Sequence, residues 1–127
     1  MVYFIMEVRQ MATLTKSTNN NVHGLRLQFD CSQETMGHII GVSGRTIARW
    51  EADESHPTFL AREKISELQE ILTKMQDVIK KGKETEWLNS PNEALGNKTP
   101  LEIITRGREG IQEVLHLLGR IEWGIYT

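Results

Sequence analysis

Two arginines four residues apart, Arg45 and Arg49, lie in the stretch Ser43-Gly44-Arg45-Thr46-Ile47-Ala48-Arg49, where a helix would present them on one face. A guanidinium offers a fork of donors that matches O6 and N7 of guanine with two parallel bonds, so the pair suits reading in the major groove. Ser43, Gly44 and Thr46 share that outward face. Gly44 has no side chain and can only allow close approach, while Gln33 would open the preceding helix beside a phosphate. Gln33, Ser43, Gly44, Arg45, Thr46 and Arg49 are therefore the expected DNA-contacting set.

Two short helices joined by a tight turn must hold these residues. From Gln33 onward, Met36, Ile40, Val42, Ile47 and Trp50 fall where two crossing helices bury a shared side. Gly37 sits at the predicted crossing, where a larger side chain would push the helices apart. Gly41 suits the turn because glycine takes a positive φ at little cost. Ser43 is the expected cap of the second helix, residues 43 to 52. This is a helix-turn-helix pattern, and an outward Arg and Thr on an ordinary hairpin would need neither the two glycines nor the serine cap.

The rest of the chain is consistent with an all-α protein. Its 127 residues, 39% hydrophobic and 25% charged, allow one modest core. A net charge of −2 argues against a non-specific coat for nucleic acid. The charge is uneven, however: residues 1–50 hold five basic and three acidic side chains, whereas residues 84–127 hold four basic and seven acidic. Phosphate is thus expected at the front half. Cys31 is the lone cysteine, read as a small hydrophobe in a reducing compartment, and the first apolar run is too short for a signal peptide or a bilayer span. A cytoplasmic protein with no membrane association is expected.

Four segments are expected. Residues 1–22 read as a loose arm with a polar run at its end, and residues 23–57 as the helix-turn-helix module, preceded by a short helix from about Gly24 to Asp30 or, given the alternation of Leu25, Leu27 and Phe29, a strand. Residues 58–84 form a long connecting helix, with Ala61, Ile65, Leu68, Leu72, Met75 and Ile79 in a heptad-like seam that could face the domain, a second copy, or both. Lys80, Lys81, Gly82 and Lys83 would close it. Residues 85–127 read as a small helical bundle, in which Thr99, Pro100 and Glu102 start one helix and Ile111, Val114, Leu115, Leu118 and Ile121 line the last.

Catalysis is not expected. His23, His38, His56 and His116 have no metal-ligand spacing, Ser32 and Ser43 lack a nucleophile-elbow context, and no glycine-rich phosphate loop is present. No metal or cofactor is expected.

Trp87-Leu88, Pro91-Asn92-x-Ala94-Leu95-Gly96, Thr99-Pro100-Leu101-x-Ile103-Ile104 and the later Val114, Leu118, Ile121 and Gly124 together resemble the toxin-binding C-terminal domain of the MbcA/ParS/Xre antitoxin family. The front module resembles the Xre-type helix-turn-helix of the same proteins. The resemblance implies a type II antitoxin that represses its own operon and blocks a cognate toxin. That toxin would be of the RES type, which depletes NAD. By the same resemblance Trp87, Leu95, Gly96 and the tail from Gly124 through Ile125 and Tyr126 would approach the toxin, although Trp87, Leu95 and Pro100 also fit as core and turn residues. Ile125 and Tyr126 lie beyond the last expected cap, and an aromatic at a chain end can anchor in a partner's pocket. A homodimer would set two reading helices about one DNA turn apart. Two other binding functions share the front half: a stand-alone transcriptional regulator without a toxin, and a scaffold whose helix-turn-helix no longer meets DNA.

Overall fold

A computed structural model of the protein describes residues 17–124, with side chains from residue 22 onward. The fold is all-α. Helix α1, Ser17–Phe29, buries Val22, Leu25 and Phe29, a spacing of three and four that settles the helix-or-strand ambiguity. It begins in the polar run assigned from sequence to the loose arm. Leu27, expected to pack, is instead 58% exposed, because it lies off that stripe. Residues 1–16 of the arm lie outside the described residues.

Helix α2, Gln33–Ile40, is capped by Ser32, whose Oγ accepts from the Thr35 N–H at 3.0 Å. Helix α3, Gly44–Glu51, starts in the same way, with Ser43 Oγ accepting from the Thr46 N–H at 3.1 Å. Between them Gly41 takes φ +92, and its N–H and that of Val42 both reach the Gly37 carbonyl, at 2.7 and 2.8 Å. Met36, Ile40, Ile47 and Trp50 are buried as the spacing predicts, Val42 is half-buried, and Ile39 joins them. At Gly37 a Cβ would be driven into the Val42 carbonyl oxygen, so the tight crossing depends on the bare backbone there.

Helix α4, Phe59–Val78, is capped by Thr58 and rises about 30 Å. Ala61, Ile65, Leu68, Ile71 and Met75 are buried. The seam belongs to the chain's own core: the helix packs most extensively on the last helix and also on α1 and α2. The helix ends before the lysines and Gly82 that were expected to close it. Ile79 is already extended, and Gly82, at φ +87, sits in the turn leading to α5, Glu84–Leu88, where its N–H bonds Glu84 Oε2 at 3.0 Å.

A 3₁₀ turn, Glu93–Leu95, follows, capped by Asn92 and closed by Gly96. Thr99 then opens α6, Pro100–Ile104, accepting from the Glu102 N–H at 3.0 Å, with Pro100 in the first turn as expected. The last helix, α7, is Arg108–Glu122, and its buried face carries Ile111, Val114, Leu115, Leu117 and Leu118. At Gly110 a Cβ would strike the Ile103 carbonyl, which lets α6 and α7 approach closely. One continuous apolar cluster runs from Val22 to Leu118. Each fully buried large side chain in it, such as Phe29, Ile47, Leu68 or Leu118, contributes about 1.5–3 kcal/mol by leaving water. Among the described residues no helix is long and apolar enough to cross a membrane.

Candidate functional site

The first site is the outward face of α3. Arg45 and Arg49 are both exposed there, one helical turn apart, and among the described residues neither guanidinium meets a carboxylate. Ser43 is exposed, but its hydroxyl serves the cap and lies 3.0 Å from Thr46 Oγ1. Thr46 is half-buried by that contact.

The remaining two members of the expected set have other tasks. Gly44 does not simply leave room for a ligand. An ideal Cβ there would stand 3.0 Å from Glu34 Cγ and 3.2 Å from the Glu34 N, so the glycine lets the starts of α2 and α3 touch. Gln33 is half-buried, and its Nε2 lies 3.5 Å from Glu51 Oε1, so the side chain turns toward the interior of the module.

Glu51, the last residue of α3, is the hub behind the exposed face. Arg26 on α1 donates from Nε at 2.8 Å and from Nη2 at 2.9 Å to its two carboxylate oxygens. His23 Nδ1 lies 2.8 Å from Oε1. Arg26 Nη1 also donates to the Cys31 carbonyl at 3.2 Å, which fastens the end of α1. Burial pushes the Glu51 carboxyl up, but bonds from Arg26 and His23 outweigh it and hold the group below the ordinary carboxylate range. The bond to Glu51 raises Arg26 above its ordinary value. This cluster fixes the end of α3 against α1, and it was not among the residues expected from sequence. A signal was present, since Arg26 and Glu51 are a cation on the first helix and an anion ending the third. Cys31 is half-buried, with burial pushing its thiol up to about 11, so it is a protonated thiol at neutral pH.

The second site is the C-terminal end. Leu95 is 4% exposed and Trp87 half-buried against the core, so both shape the bundle rather than present a surface. Gly96 is exposed, in a left-handed conformation at φ +65. Gly124 is exposed at φ +74, while Ile125 and Tyr126 lie outside the described residues. The expected set omitted Trp123, which is 80% exposed. It lines an open groove of about 640 Å³ between α4 and α7, together with Glu70, Lys74, Gln112, His116 and Arg120. Its signal was periodicity: the stripe through Ile111, Val114, Leu118 and Ile121 leaves Trp123 on the far side of α7.

Residues 23–68 match a helix-turn-helix family, and residues 76–124 match the antitoxin Xre/MbcA/ParS C-terminal toxin-binding domain. The mycobacterial cidal antitoxins MbcA of Mycobacterium bovis and Mycobacterium tuberculosis are each 26% identical over 108 residues, which is 85% of this chain and 94% of the relative. The solved M. tuberculosis MbcT-MbcA toxin-antitoxin complex contains a chain of the same fold, with a TM-score of 0.65 at 24% identity, covering 87% of this chain and 98% of that one.

Proposed function

We propose, for a chain that belongs to the Xre/MbcA/ParS antitoxin family, that its two ends divide the work of neutralising a toxin and repressing the operon that encodes both. The chain is an antitoxin with a helix-turn-helix. The observation that carries the division is the union, in one chain, of two exposed arginines on α3 that meet no carboxylate among the described residues and a C-terminal domain matched to toxin binding.

The toxin, by the same proposal, is of the RES type and consumes NAD, and the antitoxin blocks access to its active site without chemistry of its own. The solved MbcT-MbcA relative supports a protein toxin as the partner. The surface used is the end of α7 with Trp123, Gly124 and the following Ile125 and Tyr126, with Gly96 at its edge. The direct test is co-expression with the product of the adjacent gene. Copurification with a neighbour that kills cells and depletes NAD when expressed alone is the expected result; a harmless neighbour that does not copurify would leave a stand-alone regulator as the better reading.

At the other end, Arg45 and Arg49 read base edges and Ser43 and Thr46 approach the backbone phosphates. Arg45→Ala and Arg49→Ala should each weaken operator binding by about 1–3 kcal/mol and relax preference at one base pair. Fluorescence anisotropy on operator and scrambled duplexes measures both; operator affinity unchanged in both variants would place the reading face elsewhere. Operator binding as a homodimer follows the two-fold logic of such modules. Because the α4 seam is spent on the chain's own core, the contact surface proposed for a second copy is Phe59 and Leu60, which are 65% and 69% exposed at the start of that helix.

A further inference from the structure

We infer that Glu34 is a specificity-determining residue of the reading face, supplying at the head of α3 the side chain that Gly44 lacks. The inference rests on the DNA-reading role proposed above.

Gly44 is the first residue of the reading helix, immediately before Arg45. The space a side chain there would need is filled from the neighbouring helix: a Cβ on Gly44 would lie 3.0 Å from Glu34 Cγ, 3.2 Å from its Cα and 3.2 Å from its N. The Glu34 side chain therefore leaves α2 alongside the start of α3, with its carboxylate only two bonds beyond the Cγ that touches this position. It is exposed, and among the described residues it has neither a hydrogen bond nor an ion pair. Its neighbours differ in this respect. Glu51 and Gln33 turn inward to the Arg26 cluster, while Ser43 and Thr46 satisfy one another. Glu34 is thus an acidic group without a partner among the described residues, set against Gly44, the residue that precedes Arg45.

An ionised carboxylate only accepts hydrogen bonds. In the major groove it can accept from N4 of cytosine, and it opposes the O6 and N7 acceptors of guanine and the O4 of thymine. The arginines do the reverse. A donor-only group beside an acceptor-only group should thus select a guanine for Arg45 next to a cytosine for Glu34. The carboxylate also repels phosphate, so it should lower affinity for DNA lacking that cytosine, in keeping with a chain whose net charge of −2 does not favour indiscriminate binding.

The test is selection from a randomised duplex library by the full-length chain and by Glu34→Gln, followed by affinity measurements on single-base variants of the selected site. Gln keeps the shape and adds donors, so folding is preserved, and circular dichroism checks it. The expected result is that the wild type prefers cytosine at one position per half-site by about tenfold, that E34Q loses this preference while keeping the arginine-read guanines, and that E34Q binds non-specific duplex more tightly. Arg45→Ala should lose the neighbouring guanine and keep the cytosine. An E34Q variant that selects the wild-type site with the same preference at every position would overturn the inference and leave the DNA-reading proposal standing. A wild-type chain that selects no sequence at all would overturn both.

Discussion

Arg26→Ala should destabilise the helix-turn-helix more than removal of any residue on its exposed face, by about 3–5 kcal/mol, because it strands a buried carboxylate without its cation. Arg26 and Glu51 side chains are 17% and 9% exposed, and the two bonds between them tie α1 to the end of α3. Thermal melts in the presence and absence of operator measure the effect, and a melting temperature within two or three degrees of wild type would show the pair to be dispensable. Glu51→Gln should be milder, since the charge it leaves uncompensated is the less buried Arg26, whose guanidinium keeps its bond to the Cys31 carbonyl and can still donate to the amide oxygen.

The same cluster sets a dependence on pH. The folded-state pKa of Glu51 lies below its unfolded value, so its contribution is complete above the ordinary carboxylate range and is lost as pH falls through the lower folded value. The groups facing it are His23, Arg26 and Gln33. In Arg26→Ala this dependence should become shallower, because the strongest of the interactions that hold the carboxyl down is removed while those of His23 and Gln33 remain against burial. Parallel pH slopes in wild type and variant would contradict this assignment of the carboxylate.

How far the sequence revealed this arrangement depended on the reach of each signal. Local signals were readable, because a cap, a tight turn or an apolar stripe involves residues within a few positions of one another. Ser43, Gly41, Thr99 and, within the α4 seam, Ala61, Ile65, Leu68 and Met75 are in the structure what their spacing predicts, whereas Leu72 is half-buried and Ile79 lies beyond the helix. The signals that failed were those completed from elsewhere in the chain. Polar residues 17–21 look unable to fold alone, yet they continue a helix whose Val22, Leu25 and Phe29 are held by the core. Gly44 reads as open space until Glu34, on another helix, is placed against it. Gln33 reads as a phosphate contact until Glu51 offers an acceptor behind it. The choice between core and partner for the α4 seam was equally undecidable from spacing alone, since both need the same stripe; α7 decides it by covering that stripe.

The C-terminal end, proposed above to meet the toxin, is where an exposed residue should carry the largest binding effect. Trp123→Ala should weaken toxin binding by about 2–4 kcal/mol, roughly 30- to 1000-fold, while leaving the melting temperature and operator affinity unchanged. With 80% of its surface in water, Trp123 contributes little to the fold, and covering most of a ring system of about 200 Å² could contribute up to about 4 kcal/mol to a complex. The setting also favours an anchor: the groove that Trp123 lines carries the polar side chains of Glu70, Lys74, Gln112 and Arg120, so an apolar contact would be flanked by polar ones. Calorimetry of the purified toxin against W123A, against a chain ending at Gly124, and against the combination separates the contributions. If the tail residues Ile125 and Tyr126 fill the toxin's active site while Trp123 holds the groove, both single changes weaken binding, and only the truncation restores toxin activity in a complex still assembled at high concentration. A W123A chain that binds the toxin within twofold of wild type would remove the groove from the interface and leave the tail to act alone.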